Sequence, residues 1–364
     1  MERTIITQLR QQNIDVWDAA LEASPAKPPQ ELVTALQKYA HNTEYTPLTG
    51  IEGVSKQIKH IFGLQQNHFI YANGLNELIF VVQLVFGGTI VRTTPSRGIY
   101  FHTPAVELHT TYASAWKITA GQLNECFNSI SGPILFLFSN PNNPTGIVYT
   151  PEEVAEIGAV CKRHDVIVLA DEIYAQLIFN DMFVSIAVHH AKTICCSSIS
   201  KNIGCRGFAW MAFPDMVLTL YKKTLETAPT IYSRPSAPIQ YAMREFLQNE
   251  SLFGHVCKQH TTMFKDVTSQ VVSTMSKTKL LFVPTQAAWY LFVGFKPYET
   301  QLVEHGIHDD VELSNYLFQE KSILTIPGKS FKCSFNWWLR FSIVDFEHIN
   351  SGLNRLIHWL ETLG

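Results

Sequence analysis

Pro133-Ile134-Leu135-Phe136-Leu137-Phe138-Ser139-Asn140-Pro141-Asn142-Asn143-Pro144-Thr145-Gly146 is the stretch that decides the fold. From Pro133 to Phe138 every residue is apolar, the pattern of a parallel strand buried on both faces. That strand, Gly132 to Phe138, runs straight into a polar loop broken by two prolines. Thr150 then stands as a helix N-cap, with Pro151 at the first helical position and Glu153 as the capping-box partner. The helix ends near Arg163-His164, and Val166-Ile167-Val168-Leu169-Ala170 forms the next buried strand. At its carboxyl end stand Asp171-Glu172-Ile173-Tyr174. Strand, helix, strand is a βαβ unit. Thr193-Ile194-Cys195-Cys196 reads as a further buried strand, leading into Ser197-Ser198-Ile199-Ser200-Lys201.

Upstream, residues from Met1 to His41 read as a helical lead-in interrupted by Ser24-Pro25-Ala26-Lys27-Pro28-Pro29, with a helix from Gln30 to Tyr39. The turn-rich Tyr45-Thr46-Pro47-Leu48-Thr49-Gly50 follows, then a helix from Glu52 to Phe62 closed by Gly63. Phe69-Ile70-Tyr71-Ala72 is a short strand that runs through Asn73-Gly74-Leu75-Asn76 into a helix from Glu77 to Val85. Strand, glycine turn and helix together aim free backbone N–H groups at a phosphate. Gly88 to Thr93 and Glu107 to Tyr112 are expected strands, with the turn Pro95-Ser96-Arg97-Gly98 between them. Beyond Arg206 helical patterns dominate from Phe213 to Ser276, with a break at Pro235 and Pro238. Later come a strand with a turn from Phe282 to Val293, a helix from Asp309 to Gln319, a strand from Ser322 to Gly328, a half-buried strand from Trp338 to Ile343, and an amphipathic helix from Phe346 to Leu363. The expected architecture is α/β. A large domain, 45–245, holds a mostly parallel sheet flanked by helices, and a smaller α+β domain combines 1–44 with 246–364.

The totals bound the function. The chain has 364 residues, 46% of them hydrophobic and 16% charged, enough to fill a sizeable core. Lys plus Arg is 28 against Asp plus Glu 31, and no basic stripe appears, so no nucleic-acid partner is expected. No apolar run reaches the roughly 20 residues of a membrane helix, and the N-terminus lacks a secretion signal's layout. The 7 cysteines are scattered, without Cys-x-x-Cys spacing, so they read as reduced core residues of a cytoplasmic protein rather than a metal site. His189-His190 reads as a loop pair.

Polar groups leave three successive buried strands: Asn143, then Asp171 with Tyr174, then Lys201. Ligands of open α/β sheets bind outside the carboxyl ends of the strands. Taken alone, a Ser/Lys-rich turn after a strand is ordinarily solvated loop, so the case rests on the set. An aspartate at a strand end is costly if buried unpaired. No lysine or arginine lies near Asp171 in the sequence, so a ligand cation is the expected partner, and a pyridinium nitrogen fits. Asn143 and the Tyr174 phenol can donate to a phenolate oxygen, and Lys201, desolvated and so of lowered pKa, supplies an amine for a Schiff base. Ser198, Arg206 and the Gly74 turn offer donors to a phosphate dianion. This describes a site for pyridoxal 5'-phosphate.

The ordered set Asn140-Pro141-Asn142-Asn143-Pro144-Thr145-Gly146, Asp171-Glu172-Ile173-Tyr174 and Ser198-Ile199-Ser200-Lys201 resembles the class I/II aminotransferases of the pyridoxal-phosphate fold type I. The resemblance runs from Tyr45-Thr46-Pro47-Leu48-Thr49-Gly50 to Leu339-Arg340-Phe341-Ser342. It implies that Lys201 forms the internal aldimine and shuttles the Cα proton, that Asp171 pairs with the pyridine nitrogen, and that Asn143 and Tyr174 contact the 3'-oxygen. It implies that Ser198, Arg206 and Gly74-Leu75-Asn76 hold the phosphate, and that Tyr45 reaches the phosphate of a neighbouring subunit, making a homodimer with shared active sites. Arg340 would clamp the substrate α-carboxylate with a bidentate fork. Arg97 stands where the family has an aromatic residue over the ring, and either its guanidinium or Tyr100 would take that role. The Lys201 to Arg206 spacing is shorter than the family's, and Gln286 stands where a glycine is common. These three departures predict an altered substrate pocket.

The implied activity is transfer of an amino group between an L-amino acid and a 2-oxo acid. The alternative is another pyridoxal-phosphate reaction of the same fold on an amino acid: decarboxylase, lyase, cyclising synthase or oxidase. A cofactor-sensing regulator would carry a helix-turn-helix domain ahead of Tyr45, and the segment before it is too short for one. Trp289, Tyr290 and Trp338 hint at an aromatic pocket wall.

Overall fold

The apolar runs become neighbouring strands. In chain order these are β1 (Trp17–Asp18), β2 (His68–Ala72), β3 (Thr89–Thr94), β4 (Val106–His109), β5 (Ile134–Ser139), β6 (Ile167–Asp171), β7 (Thr193–Ser198), β8 (Ala209–Phe213), β9 (Leu281–Phe282), β10 (Tyr290–Gly294), β11 (Ile323–Leu324), β12 (Ile326–Pro327) and β13 (Trp338–Ser342). The computed structural model describes residues 2–180 and 183–363. Seven strands make one sheet in the order β2-β8-β7-β6-β5-β3-β4. From β4 to β7 all neighbours are parallel, and β8 runs antiparallel to both β7 and β2. The fold is α/β, with a mostly parallel central sheet flanked by helices. β8 is a strand the sequence reading did not separate from the helical region that follows it. β4 ends at His109, short of the expected Tyr112, because Thr110 turns its N–H onto the Thr94 carbonyl and Tyr112–Ser114 tightens into a 3₁₀ turn.

Side chains of a strand alternate between faces, so one run of residues feeds two cores. Leu135 and Leu137 of β5 pack with Leu78, Ile79 and Val82 of the helix Leu75–Val85 on one face. Phe136 and Phe138 pack on the other with Leu123 and Phe127 of Ala120–Asn128 and Val154 and Ile157 of Pro151–Arg163. Each such side chain contributes about 1.5–3 kcal/mol on burial, and that is why a strand apolar at every position is stable only between two helical layers. The helix Pro151–Arg163 begins where the capping pattern places it: the Thr150 hydroxyl accepts from the Glu153 N–H at 3.2 Å, and the Glu153 carboxylate accepts from the Thr150 N–H at 2.7 Å. Thr150→Ala is expected to lower stability by about 1 kcal/mol. The check is the urea midpoint of unfolding, which should fall, while an unchanged midpoint would remove the cap from the account.

Four strands form a second, antiparallel sheet in the order β12-β13-β10-β9. Leu339 and Phe341 of β13 enter a core with Leu291 and Val293, so the residue between them, Arg340, points the other way. The read-out of a helix from Met1 begins outside the described residues; from Glu2 the helix Glu2–Gln11 is present. β1 then pairs in parallel with β11, a pairing not legible in the sequence. The Ser342 N–H donates to the Ala19 carbonyl at 2.7 Å, which lays the next residues alongside β13. The helix Gln30–Tyr39 packs with Tyr71 and Phe208 beside the large sheet, whereas the expected boundary at 44/45 assigns it to the smaller unit.

Candidate active site

β5, β6 and β7 are adjacent and in register, with Ser139 opposite Asp171 and Asp171 opposite Cys196. Their carboxyl ends therefore deliver Asn143, Asp171 with Tyr174, and Lys201 to one edge of the sheet. The end of β3 brings Arg97 to the same edge, and β2 brings Asn73-Gly74, since Ala72 and Ser198 both pair with Ala209. A cavity of about 390 Å³ opens there, lined by Glu22, Asn73, Gly74, Leu75, Asn76, Arg97, Ser198, Lys201 and Arg206 among others. A larger apolar groove of about 530 Å³ lies elsewhere, beside Tyr112, Phe335 and Trp338, and gathers none of these groups.

The Lys201 amine donates to the Glu22 carbonyl at 2.6 Å and sits 5.4 Å from the centre of the Trp289 ring and 5.8 Å from that of Tyr174. Burial, and after it the charge of Arg97, lower its pKa to about 7, with Glu22 opposing. The neutral, nucleophilic amine therefore predominates above about pH 7, whereas an exposed lysine stays charged to about 10.4. Reductive labelling of Lys201 by a simple aldehyde is expected to rise through an inflection near pH 7, well below that of surface lysines. An inflection near 10 would contradict this environment.

Asp171 is 1% exposed, and its partner corrects the expectation of a ligand cation alone. Arg97 Nη1 donates to Asp171 Oδ2 at 2.9 Å, and the Tyr100 hydroxyl donates to the same oxygen at 2.6 Å. Asp171 Oδ1 accepts from the Ile173 N–H at 3.2 Å. Arg97 is 74 residues away in sequence, and only the order of strands in the sheet brings it near. Its Nη2 donates to Asn76 Oδ1 at 2.8 Å, so the guanidinium bridges Asp171 to the turn after β2. Arg97 and Tyr100 thus both reach Asp171. Burial raises the Tyr100 phenol well above its ordinary pKa, with the Asp171 charge adding to it, so it stays a donor.

At the other end of the cavity Asn73 and Gly74 N–H groups donate to the Glu77 carboxylate, while Leu75 and Asn76, as the first helical residues, have no carbonyl one turn back. Arg206 is exposed, its guanidinium makes no hydrogen bond or ion pair among the described residues, and it lines the cavity with Ser198 and Ser200. Ser198 donates to the Phe208 carbonyl at 2.9 Å. The Tyr174 hydroxyl shares a hydrogen bond of 2.7 Å with that of Tyr290. Tyr45, 85% exposed, is not part of the cavity within this chain.

Arg340 is wholly buried, stacked 4.4 Å from the centre of the Tyr290 ring. Its Nη1 donates to the Glu22 carboxylate and, at 3.1 Å, to Asn143 Oδ1; its Nη2 donates to the Ala20 carbonyl at 3.1 Å. Burial would raise the Glu22 pKa, but the charge and hydrogen bond of Arg340 outweigh it and hold Glu22 at about 2. Glu22 is the residue the sequence reading missed. It sits in a short apolar stretch before Pro25 with no motif around it, and nothing local marks it. Of the three aromatics read as a pocket wall, Trp289 and Tyr290 border Lys201 and Arg340, while Trp338 packs on Trp116 at 4.7 Å away from them. Gln286, which is not among the lining residues of the cavity, is tied to the loop after β5: its side-chain oxygen accepts from the Val148 N–H and its main-chain N–H donates to the Gly146 carbonyl. Cys195 and Cys196 are free and buried, and the described residues hold no metal-binding cluster. None of the described helices is long and apolar enough to cross a membrane.

The family model "Aminotransferase class I and II" matches residues 15–356. The chain is 29% identical over 265 residues to a Bacillus subtilis protein named as an aminotransferase, YugH, covering 70% of this chain and 64% of that one. It is 24% identical over 344 residues to the aspartate aminotransferase of Sulfolobus acidocaldarius, covering 88% and 83%. The crystal structure of the aspartate aminotransferase from Rhizobium meliloti superposes with a TM-score of 0.84 at 21% identity, covering 96% of this chain and 92% of that one. The chain spans about half to two thirds of the length of several of the curated relatives it matches.

Proposed function

Because the chain belongs to the class I and II aminotransferase family, we propose that it moves an amino group between an L-amino acid and a 2-oxo acid, with pyridoxal 5'-phosphate as cofactor. The observation that carries this is that a lysine amine of pKa about 7 and a fully buried arginine meet over one residue, Glu22, at the carboxyl edge of the sheet. An amine that is neutral at physiological pH and a guanidinium that must hold an anion are the two groups an amino-acid reaction needs.

The donor set supports the cofactor. One end of the cavity offers the Arg206 guanidinium, without a partner among the described residues, together with the Ser198 hydroxyl and the first amides of the helix Leu75–Val85, a set suited to a phosphate. Behind the lining residue Arg97, and hydrogen-bonded to it, the buried Asp171 carboxylate would serve a pyridine nitrogen. In this reading Gly74, Leu75, Asn76, Ser198 and Arg206 hold the phosphate, and Asn143 and Tyr174 face the ring oxygen. Arg97 or Tyr100 covers the ring, both already tied to Asp171. When bound, the cofactor supplies an electron sink for negative charge at the substrate Cα. The chain's own residues do the rest. Arg340 grips the α-carboxylate with two N–H groups, which fixes where the Cα–H points. Lys201 Nζ, neutral above about pH 7, takes the Cα proton and returns it, and the buried Trp289 and Tyr290 keep water from competing for it.

The same reading makes the enzyme a homodimer, with the exposed Tyr45 reaching the partner's phosphate site, and divides the chain into 45–245 and 1–44 with 246–364, the helix Gln30–Tyr39 crossing over to pack beside the large sheet. It places the protein in the cytoplasm, consistent with 7 free cysteines. The test is a half-reaction on cofactor-loaded protein. A panel of amino acids is added one at a time without any oxo acid. One equivalent of 2-oxo acid per site, with the nitrogen kept on the protein-bound cofactor, is expected from the true donor. Release of carbon dioxide, ammonia or peroxide instead would replace transamination with decarboxylase, lyase or oxidase chemistry.

A further inference from the structure

Arg340 already holds a carboxylate that belongs to the chain itself. Its side chain is 0% exposed, while that of Glu22 is 44% exposed, so of the two the acid is the one free to leave. Arg340 Nε is buried and without a partner among the described residues, so the guanidinium keeps unused donor capacity. Glu22 reaches in from the stretch between β1 and the helix Gln30–Tyr39, which has no regular secondary structure and contains Pro25, Pro28 and Pro29. The main chain on either side is fixed. The Ala19 carbonyl accepts from Ser342, and the Ala26 carbonyl lies so close to Gly204 (φ +71°) that a Cβ there would be 2.0 Å from the oxygen. The Glu22 carbonyl itself accepts from Lys201 at 2.6 Å. The side chain can therefore rotate out of the site while its backbone stays.

We propose that Glu22 is a specificity-determining internal competitor for the carboxylate subsite: its carboxylate fills the fork of Arg340 until a substrate α-carboxylate displaces it. The exchange is like for like. Arg340 is wholly buried, so a site without Glu22 would leave its charge without a carboxylate partner, and the acid neutralises it. A ligand then binds with its intrinsic affinity reduced by the fraction of time the fork is free. Ligands with only a carboxylate to offer gain little from a fork already filled, while those that also engage the cavity walls or the cofactor can displace Glu22. This inference rests on Arg340 as the carboxylate subsite, proposed above.

The experiment uses cofactor-loaded protein, with propionate and 3-phenylpropionate as non-reacting probes and calorimetry as the readout. Glu22→Gln keeps the shape and removes the charge, and Glu22→Ala removes the competing oxygens altogether. Both are expected to bind the probes about tenfold more tightly than the unaltered chain, corresponding to a fork free about one-tenth of the time. Arg340→Met is expected to abolish probe binding, with or without the Glu22 change. If both Glu22 variants bind the probes no better, or worse, while Arg340→Met still abolishes binding, Glu22 merely orients the arginine and the inference is overturned alone. If Arg340→Met binds as well as the unaltered chain, the subsite assignment and the inference fall together.

Discussion

Lys201→Ala is expected to lose about 10⁴-fold in amino-transfer rate while the protein stays folded and still binds the cofactor. Proton transfer by a positioned base is worth about 10² to 10⁴, and in the proposed function this lysine is also the residue that carries the cofactor. Among the described residues the cavity holds no second amine to substitute, since the other cationic side chains lining it, Arg97 and Arg206, are guanidiniums. Folding is spared because burying the amine is a cost: desolvation is the main cause of its lowered pKa, so removing it relieves that cost. Lys201→Arg is expected to be as inactive as the alanine variant, since it keeps charge and reach but supplies no neutral amine. Single-turnover rates of the three proteins check this. A loss of less than tenfold in Lys201→Ala would move the chemistry to another residue.

The second large effect falls on substrate affinity. Arg340→Met is expected to raise KM about 100-fold or more, and Arg340→Lys to do nearly as much. Removing one partner of a buried, hydrogen-bonded charge pair costs about 2–5 kcal/mol, and each 1.4 kcal/mol is about tenfold. Lysine is a poor replacement because the site uses the fork: one nitrogen serves Glu22 and Asn143 while the other serves the Ala20 carbonyl. Stability changes little in Arg340→Met, because Glu22 is half-exposed and can turn to water instead of remaining as a buried orphan charge. Steady-state kinetics with a saturable oxo-acid partner separates KM from kcat. A KM within threefold of the unaltered chain would remove Arg340 from substrate binding.

The parts of this site that were legible in the sequence share a physical property: they are fixed by neighbours close in the chain. A parallel strand covered by helices on both faces must be apolar throughout, so β5, β6 and β7 announce themselves, and their polar exits follow automatically. The Thr150 cap is a four-residue pattern and appears where it is read. What was hidden depends on contacts across long separations. Glu22 and Arg340 are 318 residues apart, and the short strand β1 that delivers Glu22 is defined only by its pairing with β11. Arg97 became the partner of Asp171 through the order of strands, a property no local window carries. β8, Ala-Trp-Met-Ala-Phe, is apolar and only five residues long, a pattern that periodicity cannot tell from buried helix.

The most direct measurement for the account as a whole is to find which lysine carries the cofactor. The protein is loaded with pyridoxal 5'-phosphate near pH 7.5, just above the Lys201 pKa of about 7, reduced with borohydride, digested and mapped by mass spectrometry. The account predicts one phosphopyridoxyl group per chain, on the peptide containing Lys201. A label spread over exposed lysines such as Lys38 or Lys296, or no label at all, would contradict it.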